Sequence, residues 1–573
     1  MVSRAGRVVS SVGSAPGIIA LGLAIGAVYG GVWAHQFVNF DDPMFLSENT
    51  HVIAGLTTGS IRWAWTNKDA LLWQPLAWMG HMTVSQFAGM QPAPHLLANL
   101  GLHWLNAALL YALLRSLTGA AGRSFAVALL FAVHPANVDT VAWASQLKTT
   151  LSTACFLASL LAYTASARRG ERFNGGVLLA FALSLLAKPM VLLFPVLLAL
   201  LDFWPLRQVP PLDRRGWIRW LGPKIPFVVV AVAVVAVTVV PWAATTAVDM
   251  DTVHAPEWRR LAAVPGNYLT YLRLCVWPVD LAVLYPEQLD QPPLRVAGAT
   301  LLLAGISAAA WLTRRRFPAL LVGWGWFVVT LLPASGLVRP GQHAVADHYF
   351  YVPGIGLFLA AVWLVADLPA VAWRPLRPGL LGAVALVAGW VAHAQVKYWQ
   401  NSVTLWEHAA AVTPPSPAGQ VNLGNALLGA GRDREAERAF NAALGLAGND
   451  FRPYVNLAVI AQRRGDNAGA ISLLRQALRL APAEARILSN LGSLLQDAGQ
   501  VPEARQLLER AVALRPELAE AQINLGVLLA QTGDLPRALV CFQAAVRLRP
   551  DDPVAQQNLQ LVLRQLAARP ARP

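Results

Sequence analysis

The sequence predicts an all-α protein in two parts: a polytopic membrane helical domain of about 11 spans over residues 1–395, and a soluble α-solenoid over 418–573. Three observations carry this prediction. Only 13% of the 573 residues are charged and 56% are hydrophobic, against about 25% charged in an ordinary soluble domain. The long apolar runs stop near residue 395, after which the chain turns rich in Arg, Glu, Gln and Ala. Beyond that point "NLG", "NLA", "NLG", "NLG" and "NLQ" begin at Asn422, Asn456, Asn490, Asn524 and Asn558, each 34 residues after the last.

A helix needs about 20 apolar residues to cross the hydrocarbon core. The runs that qualify, or come near it, are 16–35, 96–115, 124–143, 150–167, 174–187, 189–206, 225–242, 295–313, 317–335, 350–367 and 378–395. Arg4 and Arg7 precede the first, which places the N-terminus in the cytoplasm by the positive-inside rule. The basic loops Arg115/Arg123, Arg168–Arg172, Arg207–Lys224, Arg314–Arg316 and Arg374/Arg377 then fall on the same inner side. These loops account for much of the net charge of +14 in the first part, so a nucleic-acid partner is not called for. An odd number of spans puts the solenoid outside, or in the periplasm, of an inner or plasma membrane protein. Reading 1–34 as a cleaved signal peptide leaves the rest of that topology unchanged. Cys155, Cys275 and Cys541 are too far apart for a metal-ligand spacing or a disulfide framework.

On this topology the polar clusters gather outside. Asp41 and Asp42 follow the first apolar run; His134 and Asp139 lie in "HPANVD"; Lys188 interrupts two apolar stretches in "LLAKPM". The 243–294 segment carries His254, Arg260 and the aromatic-rich "NYLTYLRLCVW", which reads as an amphipathic helix on the bilayer surface. Arg339, His343, Asp347, His348 and Tyr349 lie in 337–354. Each cluster has a plain alternative: a solvated acidic loop, a tight turn, a surface helix that only packs, or a helix cap. Lys188 resists that treatment, because an ionisable residue among membrane segments must pair or snorkel and is a functional candidate by default.

In the C-terminal part, Gly431, Gly465, Gly499 and Gly533 keep the 34-residue interval, as do Ala436, Ala470, Ala504 and Ala538, and Pro482, Pro516 and Pro550. This is the tetratricopeptide pattern: small residues at the helix crossing and Pro after the second helix. Four repeats are expected from about 418 to 552, with a capping helix at 553–567 and a half repeat or linker over 396–417. Asn422, Asn456, Asn490 and Asn524 are the candidate groove residues for an extended peptide or partner helix.

The membrane half resembles the C-type (GT-C) glycosyltransferases, and its pairing with tetratricopeptide repeats is similar to the transmembrane-and-TPR O-mannosyltransferases and their bacterial relatives. The resemblance rests on "FDDP" (40–43), "WQPLAWMGHM" (73–82), "LFAVHPANVDTVAWAS" (130–145), "LLAKPM" (185–190), "LLDFWPL" (200–206) and "ADHYFYVPGIGLF" (346–358), and runs from about residue 30 onward. The family usually has Glu where this chain has Asp139 and Arg where it has His348. The resemblance implies transfer of a sugar, mannose in that family, from a polyprenyl-phosphate donor to hydroxyl groups of an acceptor protein. It implies Asp41 or Asp42 as the base, and Lys188, Arg339, His134, His348 and Arg260 as donor-phosphate ligands, with Asp139, Asp347 and Tyr349 in support. The repeats would hold the acceptor or a partner. No further cofactor follows from the residues, and a divalent metal requirement is left open. A non-catalytic membrane-anchored scaffold, and a ligase or polymerase acting on glycan acceptors, stand as alternatives.

Overall fold

The computed structural model describes residues 14–67, 73–171, 173–210, 213–249, 257–286, 290–337, 345–368 and 376–568. Every regular element among them is helical. The chain divides into two compact units, Met1–Pro414 and Pro415–Pro573.

In the first unit, Pro92–Thr118 packs against Leu147–Arg168 and Ala121–Val133, and Leu147–Arg168 packs against Gly175–Ala187. Pro318–Leu331 and Pro353–Asp367 form a tight pair that leans on Ala121–Val133. Among the described residues, five helices are long and apolar enough to cross a bilayer: Pro92–Thr118, Ala144–Arg168, Arg215–Thr238, Pro293–Leu312 and Arg377–Trp399. A sixth arises if the pair Ala121–Val133 and Pro135–Ala142, bent by 58°, counts as one span. Of the roughly 11 spans expected, five or six among the described residues meet the length and composition for crossing. Hydropathy registers apolar composition, but Ala15–Tyr29, Gly175–Ala187, Phe194–Phe203, Pro318–Ala334 and Pro353–Asp367 are apolar helices of only 10–17 residues. At 1.5 Å per residue they reach about 15–25 Å, short of the ~30 Å core. Two of them flank Lys188-Pro189, where proline forbids helical continuation and the residue before it is extended (φ −160°, ψ 123°). His134 before Pro135 breaks its helix in the same way, at ψ 131°.

The outer surface of this unit is that of a membrane protein. In Pro293–Leu312 only 11% of the most apolar window is covered by protein, and Leu294, Leu301, Leu302, Trp311 and Leu312 are exposed. Such surface is tolerated where lipid is the solvent.

The second unit stacks helix pairs: Pro417–Gly429 with Asp433–Leu446, Arg452–Arg463 with Asn467–Leu480, Ala485–Asp497 with Val501–Leu514, and Ala519–Gln531 with Leu535–Leu548, followed by Pro553–Ala567. Between the helices of each pair the glycine at 431, 465, 499 or 533 has φ between +74° and +86°, a left-handed turn that a side chain would strain. Ala470, Leu474, Leu491, Leu508, Leu525 and Phe542 form the continuous core.

The segment expected as a half repeat is placed differently. The helix Ser402–Val412 belongs to the first unit, where Ser402 Oγ accepts from the Asn39 amide (2.9 Å) and Trp406 Nε1 donates to Asn39 Oδ1 (2.9 Å). Its buried Trp406 also meets the Phe40 ring edge-on at 5.5 Å.

One close helix approach in the first unit is made by glycines. A Cβ on Gly356 would meet the Gly323 carbonyl oxygen, and one on Gly323 would meet that of Gly356. Small residues at such crossings let backbones touch. Gly356→Val should therefore lower stability by about 1–3 kcal/mol, read as a drop in thermal midpoint of the detergent-solubilised protein. Gly382→Ala, with nothing within 4 Å of a Cβ, should leave the midpoint unchanged.

Candidate functional site

The two adjacent acids behave as different residues. Asp42 is 1% exposed. Its Oδ2 accepts the Val38 amide (2.9 Å), and its Oδ1 accepts the Ser145 amide (3.0 Å) and the Ser145 hydroxyl. One carboxylate thus joins the loop after the first helix to the turn before Leu147–Arg168. Burial pushes the Asp42 pKa up to about 6 against the three hydrogen bonds that lower it, and the neighbouring Asp41 charge is the smallest contributor. Desolvation, not repulsion from the adjacent acid, dominates the shift.

Asp41 turns the other way. Its side chain keeps 28% exposure and its Oδ2 pairs with Lys148 Nζ at 2.9 Å. Lys148 sits 4.0 Å above the Phe45 ring, and Phe45 stacks on Trp78 at 4.6 Å, so the cation is held from both sides. One residue further, Thr149 Oγ1 accepts from Lys188 Nζ at 2.8 Å. Lys188 also reaches Gln146 Oε1 (3.5 Å) and lies 5.6 Å from the Tyr349 ring. Lys188, Thr149, Tyr349 and His348 line a cavity of ≈ 10 Å³, about the space of one water.

Behind these stand the buried groups of the 134–139 and 347–349 turns. His348 Nδ1 lies 3.0 Å from Asp139 Oδ2, and the His348 amide donates to the same oxygen at 3.2 Å. Burial lowers the His348 pKa, and the neighbouring Asp139 partly offsets this. The two positions at which the chain departs from the family pattern are thus in contact, a shorter acid facing a shorter base. Asp347 accepts from Tyr285 Oη (2.8 Å), and its pKa is raised by burial and then by Asp139. Five buried polar atoms of this stretch have no protein partner: Asn137 Oδ1, Asp139 Oδ1, Thr140 Oγ1, Trp143 Nε1 and Gln146 Nε2. Unsatisfied buried atoms are sparse in native folds, so their concentration marks a place built for more than packing.

The structure therefore brings Asp41, Asp42, Lys188, Asp139, His348, Tyr349 and Asp347 into one neighbourhood. His134 is occupied elsewhere: Nε2 lies 3.1 Å from the Cys275 carbonyl and Nδ1 accepts the Ala136 amide (3.3 Å), which pins the helix break. Arg260 stands in the first turn of Glu257–Val276. Arg339, with His254 and His343, lies outside the described residues. Sequence reasoning missed Lys148, Ser145 and Tyr285. Lys148 had a signal, a lone cation at the head of an apolar span-length stretch. Among the described residues no three His, Cys, Asp or Glu side chains are grouped to hold a metal ion. In the second unit, Asn456 donates to Asn425 (2.8 Å) and Asn524 to Ser489 (3.0 Å), each linking neighbouring repeats; Asn422 bonds within its own helix, to the Ala418 carbonyl (3.0 Å), and Asn490 is exposed.

The clamp role of Asp42 has a measurable signature. The native state holds its proton more tightly than the unfolded chain, whose carboxyl titrates near 3.8. This contribution to stability is present below about pH 4 and is lost as pH rises through about 6. Asp42→Asn should flatten that slope in thermal-unfolding midpoints. It should also cost about 1–3 kcal/mol, because an amide NH₂ cannot accept the Val38 N–H.

Two tetratricopeptide repeat family models match the chain, at residues 489–553 and 449–517. The chain is 23% identical over 391 residues to the Protein O-mannosyl-transferase Tmtc3 of Drosophila melanogaster, covering 58% of this chain and 42% of that protein. It is 28% identical over 153 residues to the Protein O-mannosyl-transferase Tmtc2 of the same organism, covering 26% and 15%. The chain thus spans less than half the length of either relative. Among solved structures, PilF of Pseudomonas aeruginosa is 25% identical, covering 26% of this chain and 69% of that one, with a TM-score of 0.25. With apolar helices in one unit and 34-residue repeats in the other, the chain is a membrane-plus-repeat protein similar to the transmembrane-and-TPR O-mannosyltransferases.

Proposed function

We propose that this protein moves a sugar, mannose by its similarity to the relatives above, from a polyprenyl-phosphate donor to a hydroxyl of an acceptor protein at the external membrane face. The observation that carries the reading is the partly exposed Asp41 carboxylate beside Lys148 (2.9 Å), with Lys188 held one residue further along by Thr149. A hydroxyl is a poor nucleophile at neutral pH, so a positioned base must take its proton as the bond to the anomeric carbon forms. Asp41 is that base. The bond from the anomeric carbon to the donor's phosphate oxygen breaks, and the polyprenyl phosphate leaves with the electron pair. Lys148 and Lys188 neutralise the charge it gathers. Direct displacement inverts the anomeric centre. Asp42, Asp139 and His348 hold the turns that present these groups, and the repeats supply the surface for the acceptor polypeptide or a partner.

Transfer from radiolabelled polyprenyl-phosphate mannose in membranes containing the protein tests this. Asp41→Asn should reduce label in protein by about 10²-fold or more at an unchanged thermal midpoint. Asp42→Asn should lower the midpoint first. Retained transfer in Asp41→Asn removes Asp41 from the chemistry. Label that enters glycan instead of protein transfers the reading to the glycan-acceptor enzyme. If sugars other than mannose also fail with the wild type, the scaffold reading takes its place.

A further inference from the structure

A much larger cavity of the first unit lies elsewhere. Its volume is ≈ 660 Å³, within the roughly 300–1,000 Å³ of small-molecule sites. It is lined by Tyr163 and Ser166 of Leu147–Arg168, the helix whose other end carries Lys148. Fifteen residues separate Lys148 from Tyr163, a rise of about 22 Å. The two sites therefore lie at opposite ends of one helix.

The cavity floor is built and neutral. Asp202, 1% exposed, accepts from Tyr163 Oη (2.8 Å), Trp220 Nε1 (2.7 Å) and Lys224 Nζ (2.8 Å). Lys224 also donates to the Trp220 carbonyl (3.0 Å) and lies 4.9 Å over its ring. The buried charges cancel, and every donor that meets Asp202 is used.

The wall is different. The helix Arg214–Leu221 starts at Asp213, whose carboxylate caps the Gly216 amide (3.0 Å). Arg215 and Arg219, one turn apart, line the cavity, and among the described contacts neither has an acidic partner. Glu171, on the same rim, is engaged by Arg169 at 2.6 Å. Two guanidinium groups at this spacing repel each other unless an anion lies between them. Phe173, Val177 and Phe227 add apolar surface to the lining. Trp217, Ile218 and Leu221 of the same short helix are exposed, as are Ile225, Val228 and Val229 of the span that follows. Apolar side chains left outward beside a membrane span face acyl chains, and Arg is the side chain best matched to phosphate, through its bidentate fork.

We infer that this cavity binds the phosphate headgroup of an anionic lipid, with Arg215 and Arg219 on the phosphate and Phe173 and Phe227 along the start of the chains. Asp213 and Glu171 also line the cavity, but the first caps Gly216 and the second is engaged by Arg169, so a phosphomonoester head would meet Arg215 and Arg219. A soluble phosphate would use the arginines but leave the aromatic wall without a role.

The test uses the full-length protein in neutral-detergent micelles, titrated with dioctanoyl phosphatidic acid and followed by native mass spectrometry. Saturable binding is expected, at least about tenfold tighter than dioctanoyl phosphatidylcholine and not displaced by an equal concentration of inorganic phosphate. Arg215→Gln/Arg219→Gln should weaken it by about tenfold or more, and each single variant by part of that. Both residues are exposed, so the thermal midpoint should not move. Arg314→Gln/Arg315→Gln, which removes two charges from another basic loop, should leave binding unchanged. Equal weakening in that control, undiminished binding in the Arg215/Arg219 variant, or displacement by inorganic phosphate would each overturn the assignment.

Discussion

The carboxylate of Asp42 is the constraint around which the first unit's polar end is organised. Three donors from segments a hundred residues apart converge on it: one amide from the loop after the first helix, and an amide and a hydroxyl from Ser145. Removing a charged acceptor from water is costly unless its lone pairs are used. Here they are, and the loop can close only where Val38 and Ser145 meet. That closure sets the direction of the next side chain along. Asp41 has to face Lys148, and Lys148 has to lie over Phe45. One buried acid therefore orients the partly exposed one beside it.

How much of this could be read beforehand depends on what each signal measures. The repeats were legible because a 34-residue period involves many residues at once, and the glycines with left-handed φ sit where the period puts them. The apolar half was legible as a class but not as a span count, because hydropathy cannot see that Pro135 and Pro189 cut helices into pieces too short to cross alone. The acidic pair was legible as a cluster. Its division of labour was not, since two adjacent aspartates look alike until the fold buries one. Lys148 was hidden by its neighbours: in "QLKTT" it reads as an ordinary polar turn, and only the packing of Leu147–Arg168 against Pro92–Thr118 shows it buried at the head of a helix.

The Asp139–His348 contact changes how the two departures from the family pattern are understood. Taken separately, each shortens a side chain and the second removes a permanent charge. In contact at 3.0 Å, with the His348 amide on the same oxygen, they form a single unit whose geometry is satisfied by one carboxylate and one imidazole. A longer acid with a longer base would occupy the same place. Changing either alone would disturb the hydrogen bond that the other makes, so the effects of substitutions at the two positions should not add.

The helix Ser402–Val412 has a bearing on how such proteins are assembled from parts. Its composition groups it with the repeats, yet Asn39 and Phe40 hold it through Ser402 and Trp406, and the folded unit runs to Pro414. The natural seam of the polypeptide is therefore some twenty residues beyond the last apolar run. A recombination at residue 395, where hydropathy alone would cut, would carry away the partner that keeps Asn39 in place.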